Sequence, residues 1–197
     1  MRNCIPSFHS TIALMSEKYK IREREWPYFV TFSVERWIDV YTRDLYRNIF
    51  VDSLNHCIEQ KGLIVHSWVL MTNHAHLLVN TKGENLEFII RDFKKFTSKK
   101  TFAAISDNIQ ESRDWMTYFF ERSGKRNVMN KDFQFWQNGY HPIHCWKREL
   151  ILQKINYIHQ NPVRAGFVEY DHEWKYGSAR HYACRLGMVK IEMLDLL

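Results

Sequence analysis

Two periodicities alternate along this chain. Tyr28-Phe-Val-Thr-Phe-Ser-Val34 is dense in aromatic and β-branched residues, which predicts a strand. Leu45, Ile49, Phe50, Leu54, Cys57 and Ile58 then recur at helical spacing. Thr42 is the candidate cap of that helix, Asp44 lies in its first turn, and Gly62 is its natural stop. Leu63 to Met71 and His74 to Val79 predict two strands that Thr72-Asn73 folds into a hairpin. Asn85 can cap a second helix with Leu86, Ile89, Ile90, Phe93 and Phe96 on its apolar face. Arg91, Lys94, Lys95, Lys99 and Lys100 fall on its other faces.

The next stretch is less regular. Arg113 to Arg122 has a helical aromatic pattern, and Ser123-Gly-Lys-Arg-Asn127 predicts its end. Phe133-Gln-Phe-Trp136 alternates as a fourth strand does. Trp146 to His159 is helical, and Asn161-Pro162 predicts a stop, because a residue before proline disfavours the α region. Ser178 to Cys184 predicts a short helix. The order strand, helix, strand, strand, helix, strand predicts an α+β fold: a ferredoxin-like split βαβ antiparallel sheet with helices packed on one face.

Length fits one domain: 197 residues and 23.9 kDa are enough for a sizeable core. We divide the chain into an N-terminal tail or arm over 1–26, a single domain over 27–185 and a C-terminal extended segment over 186–197. The second half of the tail, Ser16 to Glu25, is dense in charge and has no clear apolar face. No apolar run approaches the roughly 20 residues of a membrane helix, and no signal peptide is read. Four scattered cysteines, none spaced C-x-x-C, point to reduced thiols and a cytoplasmic protein. The net charge of +6 suits a nucleic-acid partner without requiring one.

Three groups of residues carry candidate chemistry. His74-Ala75-His76 places two imidazoles on one face of a strand, as two ligands of one divalent metal ion such as Mg²⁺ or Mn²⁺ require. The plainer reading is two histidines on a solvated strand face. Lys154, Tyr157 and Asn161 share one face of a helix whose buried stripe is Ile151, Ile155 and Ile158. A tyrosine hydroxyl can attack phosphorus, and the amide of Asn161 can supply a third ligand oxygen. Alternatively, Tyr157 is a core-edge residue and Asn161 a helix cap. Lys125, Arg126 and Trp136 lie in a stretch of interleaved aromatic and cationic residues, which suits single-stranded nucleic acid, although such aromatics also build cores. His141-Pro-Ile-His144 is a second histidine pair that nothing nearby completes, and we read it as structural or loop-exposed.

Taken together, the motifs resemble one family. Met71-Thr-Asn-His74-Ala-His76-Leu-Leu-Val is similar to the histidine-hydrophobic-histidine (HUH) motif of single-tyrosine HUH transposases. Tyr157-Ile-His-Gln-Asn161-Pro-Val-Arg-Ala-Gly166 resembles the tyrosine helix and following turn of the REP-associated tyrosine transposases, relatives of the insertion-sequence 200/605 group. Arg91 to Ser98, Phe133 to Gln137 and Trp174 to Arg180 match as well, so the likeness runs from about Trp26 to about Cys184. Ala75 is smaller than the hydrophobic residue many members carry there.

The resemblance implies a DNA transposase-like single-strand endonuclease and strand transferase acting on hairpin-forming, imperfectly palindromic DNA. In it Tyr157 is the nucleophile that forms a 5′-phosphotyrosine link. His74, His76 and Asn161 hold a divalent metal. The basic residues Arg91, Lys94, Lys95, Lys99, Lys125, Arg126 and Lys154, together with Trp136, contact DNA. Many members are homodimers, and such a protein is expected at the nucleoid. Two alternatives remain at the sequence level: a domesticated, non-cleaving nucleic-acid-binding protein of the same fold, and a metal-dependent hydrolase that uses water.

Overall fold

The computed structural model describes residues 26–108, 113–127 and 132–194. The expected arm over 1–26 therefore lies outside the described residues except for Trp26, as do 195–197 of the C-terminal segment. The elements are β1 (Tyr28–Ser33), α1 (Asp44–Gln60), β2 (Leu63–Leu70), β3 (His74–Thr81), α2 (Leu86–Ser106), α3 (Asp114–Lys125), β4 (Ile143–His144), α4 (Arg148–Arg164) and α5 (Ala179–Tyr182). The four strands form one antiparallel sheet in the order β2-β3-β1-β4. β3 thus lies between β1 and β2, the arrangement of a split βαβ unit, and the α+β fold is as expected.

Both faces of this sheet are covered. Tyr28, Val30 and Phe32 of β1 and Ala75, Leu77 and Val79 of β3 join Phe50, Leu54, Ile89, Ile90 and Phe93 in the larger core, under α1 and α2. Phe29, Val69 and Leu78 point the other way and pack with Ile151, Ile155 and Ile158 of α4. One correction follows: the helices do not all share a face, because α4 covers the second one. Alternation along β1 and β3 supplies apolar residues to each side, so the central strands read as near-continuous apolar runs.

The free edge of β2 is masked. Leu70 donates its N–H to Tyr176 O, Ser178 N donates to Trp68 O, and Glu192 N donates to Val65 O. These bonds satisfy an edge that otherwise invites pairing with another chain.

Several local expectations are corrected. Helix α1 begins at Asp44 after Arg43, with no side-chain cap; Thr42 belongs to the preceding 3-10 turn Val40–Thr42. Leu45 is exposed and Tyr46 fills the core in its place. In α2, Asn85 caps as expected, accepting from Glu87 N and Phe88 N. Its buried stripe then continues through Thr97 and Thr101 while Phe96 faces solvent. Thr97 is tolerated because its hydroxyl donates to Phe93 O and accepts from the Trp136 indole.

Helix α3 runs through Ser123 and Gly124 to Lys125. Gly124 lets the Phe133 backbone approach so closely that a Cβ there would lie 2.5 Å from Phe133 Cα. Phe133 to Trp136 is no strand: only Trp136 bridges to Val34, and the fourth strand is Ile143–His144. The reason is that Gln134 gives its N–H to Phe120 O of α3, while Phe135 and Trp136 both go into the core.

Pro162 does not stop α4, which continues to Arg164. Gly166, at φ 73°, accepts the left-handed conformation there. Phe167 N then bonds Pro162 O, and Gly166 N bonds Val163 O, closing the helix one turn past the proline. Asn161 is consequently a helical residue rather than the cap.

Candidate active site

β3 and α4 bring the two candidate motifs together. His74 and His76 project from β3 on the face that α4 covers. Their ring centroids are 4.9 Å apart, and the Tyr157 ring lies 5.1 Å from that of His76. Phe29 packs beneath, stacked on His76 at 5.3 Å and edge-on to Tyr157 at 5.9 Å. Asn161, one turn on from Tyr157, lies beside His74. All four residues belong to one chain. Tyr157 is 37% exposed, so its hydroxyl can be reached from solvent.

Each imidazole is held from behind. His76 Nδ1 is 2.8 Å from the Thr31 hydroxyl on the neighbouring strand, and His74 Nδ1 is 2.7 Å from Asn73 Oδ1. Burial pushes the pKa of His74 below its ordinary value. Burial, with His74 and Lys154 nearby, pushes that of His76 down to about 3. Both rings are therefore neutral, the form that ligates metal. With each Nδ1 bonded, each ring has Nε2 left to bind. Two imidazole nitrogens and the Asn161 amide oxygen make an N,N,O set that fits a divalent cation and leaves positions open. Among the described residues no three His, Cys, Asp or Glu side chains form a group that could hold a metal ion.

The expected DNA-contacting residues scatter. Lys154 belongs to the site, with Nζ 4.7 Å from the Phe29 ring. Lys95 and Lys99 line a cavity of about 440 Å³ with Lys94, Ser98 and the 132–139 segment. Lys94 is already committed: its Nζ donates to the carbonyls of Gln137 and Gly139, and burial lowers its pKa to about 8. Arg91 pairs with Asp92. Lys125 ends α3, and Arg126 lines a separate pocket with Glu35 and Arg36. Trp136 is corrected from stacking platform to core residue, since it is 5% exposed and its indole N–H is used by Thr97. Sequence reasoning missed Thr31, Phe29 and Asn73. It also passed over Arg164, whose guanidinium lies 5.7 Å from the Tyr157 ring. Its position seven residues after Tyr157, two turns along the same helix face, was the available signal.

No family model matches the chain, and no curated protein matches it by sequence. Solved structures do. A REP-associated tyrosine transposase bound to a REP hairpin superposes with a TM-score of 0.56 at 14% identity, over 90% of this chain and 91% of that one. The fold is that of a REP-associated tyrosine transposase. A Deinococcus radiodurans protein assigned to the transposases also matches, with a TM-score of 0.43 at 16% identity, over 71% of this chain and 97% of that one. The fold shared with the hairpin-bound protein covers 90% of this chain, in which the histidine pair lies on β3 and Tyr157 on α4. Among the described residues no helix is long and apolar enough to cross a membrane.

Proposed function

We propose that this protein is a single-strand DNA endonuclease and strand transferase of the HUH tyrosine type, acting on hairpin-forming DNA. The observation that carries the reading is the convergence, within one chain, of Tyr157 on the His74–His76 pair and Asn161. The relative of the same fold, which is bound to a REP hairpin, supports a hairpin substrate. His74, His76 and Asn161 would hold a divalent cation, which would supply charge neutralisation at the scissile phosphate.

The chain's own residues do the rest. Tyr157 attacks phosphorus through its hydroxyl oxygen. A tyrosine–phosphate bond forms, the bond from phosphorus to the 3′ oxygen breaks, the phenolic proton passes to solvent, and the leaving 3′ oxygen takes up a proton. Attack by a 3′-hydroxyl on the 5′-phosphotyrosine reverses these bond changes and joins or transfers the strand. Phe29 and His76 fix the tyrosine ring, which lowers the cost of orienting the nucleophile. Lys154 and Arg164 place positive charge beside it, where phosphoryl transfer needs it.

Incubation of the protein with Mn²⁺ and single-stranded hairpin DNA from its genomic neighbourhood, read on a denaturing gel, tests this. The wild type cleaves, whereas Tyr157→Phe binds the hairpin equally and does not cleave. Cleavage by Tyr157→Phe overturns the assignment.

A further inference from the structure

Behind His74 lies a chain of hydrogen bonds that starts at Asp39, in the loop after β1. Asp39 Oδ1 accepts from the Thr72 hydroxyl at 2.6 Å and from Asn73 Nδ2 at 2.9 Å. Asn73 Nδ2 also donates to Trp37 O at 3.3 Å. A carboxylate and a carbonyl carry no proton, so the nitrogen end of the Asn73 amide has to face them. Its oxygen end then faces His74 Nδ1, at 2.7 Å. An amide oxygen cannot donate, so Nδ1 carries the ring proton and Nε2 carries the lone pair. The Thr31 hydroxyl behind His76 can donate or accept, and so imposes no such choice.

The backbone around this relay is unusual. Arg36 and Trp37 both adopt φ 57°, a left-handed conformation that side chains disfavour. That turn directs the Trp37 carbonyl onto Asn73 and sets the Trp37 ring edge-on to His74, with centroids 5.7 Å apart. The strained residues therefore hold the same imidazole from a second side.

We propose that Asp39, acting through Asn73, fixes the tautomer and orientation of His74, which makes both of them positioning residues for the metal-binding imidazole. The inference rests on the reading of His74 as a ligand, but its first consequence, the tautomer, is a property of the metal-free protein. Replacing Asp39 with leucine removes the carboxylate acceptor and leaves only the longer bond to the Trp37 carbonyl, at 3.3 Å, to hold the Asn73 nitrogen, so the amide can flip. Its nitrogen then faces Nδ1, and the proton moves to Nε2, where it blocks coordination. Outer partners of this kind typically govern metal affinity by about 10–100-fold.

Long-range ¹H–¹⁵N spectra of the metal-free protein read the His74 tautomer, and titration calorimetry with Mn²⁺ reads the affinity. The wild type shows a protonated Nδ1. Asp39→Leu shows a protonated Nε2 population and binds Mn²⁺ about 10–100-fold more weakly. Asp39→Asn keeps an oxygen that accepts from Thr72 and Asn73, and so retains the wild-type tautomer and affinity. A wild-type His74 protonated at Nε2 overturns the proposal. An unchanged tautomer in Asp39→Leu, or an Asp39→Asn protein that folds without retaining the wild-type tautomer, also overturns it. Absence of Mn²⁺ binding in the wild type overturns the proposed function and leaves the tautomer to be decided by the spectra alone.

Discussion

Ser178→Ala removes one oxygen atom, and the structure says what that atom holds. Ser178 is fully buried, and its hydroxyl lies between β2 and α4, the helix that carries Tyr157. It accepts from Trp68 N at 2.9 Å, and meets Trp68 O at 3.2 Å, Ser67 Oγ at 2.9 Å and His159 Nε2 at 2.9 Å. Not all of these partners are orphaned by the change. Ser67 and His159 keep each other at 3.1 Å, and Trp68 O keeps the Ser178 N–H. The Trp68 N–H loses the acceptor that the hydroxyl provides. Leaving one buried donor unpaired costs roughly 1–3 kcal/mol, and the lost hydroxyl bonds add about 1 kcal/mol. The variant is thus about 3 kcal/mol less stable, which lowers the melting midpoint by roughly 6–12 °C for a chain of this size. Urea titration followed by far-UV circular dichroism measures it, with an unchanged slope against denaturant. Ser106→Ala, at an exposed hydroxyl bonded to Phe102 O, is the control and stays within about 0.5 kcal/mol. A Ser178→Ala loss no larger than the control's would refute the reasoning.

Two further outcomes follow from particular side chains. His66 is buried, donates from Nδ1 to Glu192 O and has no protein partner at Nε2, and burial holds its pKa below the ordinary value. The unfolded chain therefore takes up that proton first as pH falls below about 6.5, so stability is fully present above that pH and drains as the pH falls towards the folded pKa, by at most about 1.4 kcal/mol per pH unit. His66→Asn keeps a donor towards Glu192 and flattens this slope; equal slopes in the two proteins contradict the assignment. Lys99→Ala, on the rim of the basic cavity, weakens hairpin binding in fluorescence anisotropy between 50 and 200 mM salt. It also reduces the slope of log K against log salt by about 0.7, the value for one single-strand phosphate contact, and an unchanged slope removes Lys99 from the DNA path.

The legible parts of this fold are those where local pattern and global packing agree. Alternation along β1 and β3, the helical stripes of α1 and α4 and the Asn85 cap all follow from spacing alone. So does the i, i+2 convergence of His74 and His76. What spacing does not reveal depends on partners far away in sequence. Phe133 to Trp136 alternates like a strand, but Gln134 N bonds Phe120 O of α3 and the consecutive aromatics Phe135 and Trp136 both enter the core. Pro162 reads as a stop, but the helix runs on to Arg164 and closes at Gly166, so Asn161 stays helical on the face of Tyr157. Lys94 reads as a free cation until the carbonyls of Gln137 and Gly139 are seen around it. The relay from Asp39 to His74 spans 34 residues between its first two members and exists only once the hairpin folds against the loop after β1.

The central claim is that Tyr157 is the nucleophile, and intact-protein mass spectrometry tests it most directly. Wild-type protein is incubated with Mn²⁺ and hairpin DNA, quenched in denaturant and weighed, with Tyr157→Phe alongside. The account predicts a protein species heavier by the mass of the 3′ cleavage fragment, present in the wild type alone and mapping after proteolysis to the peptide that contains Tyr157. DNA cleavage without any adduct, or an adduct on another residue, contradicts it.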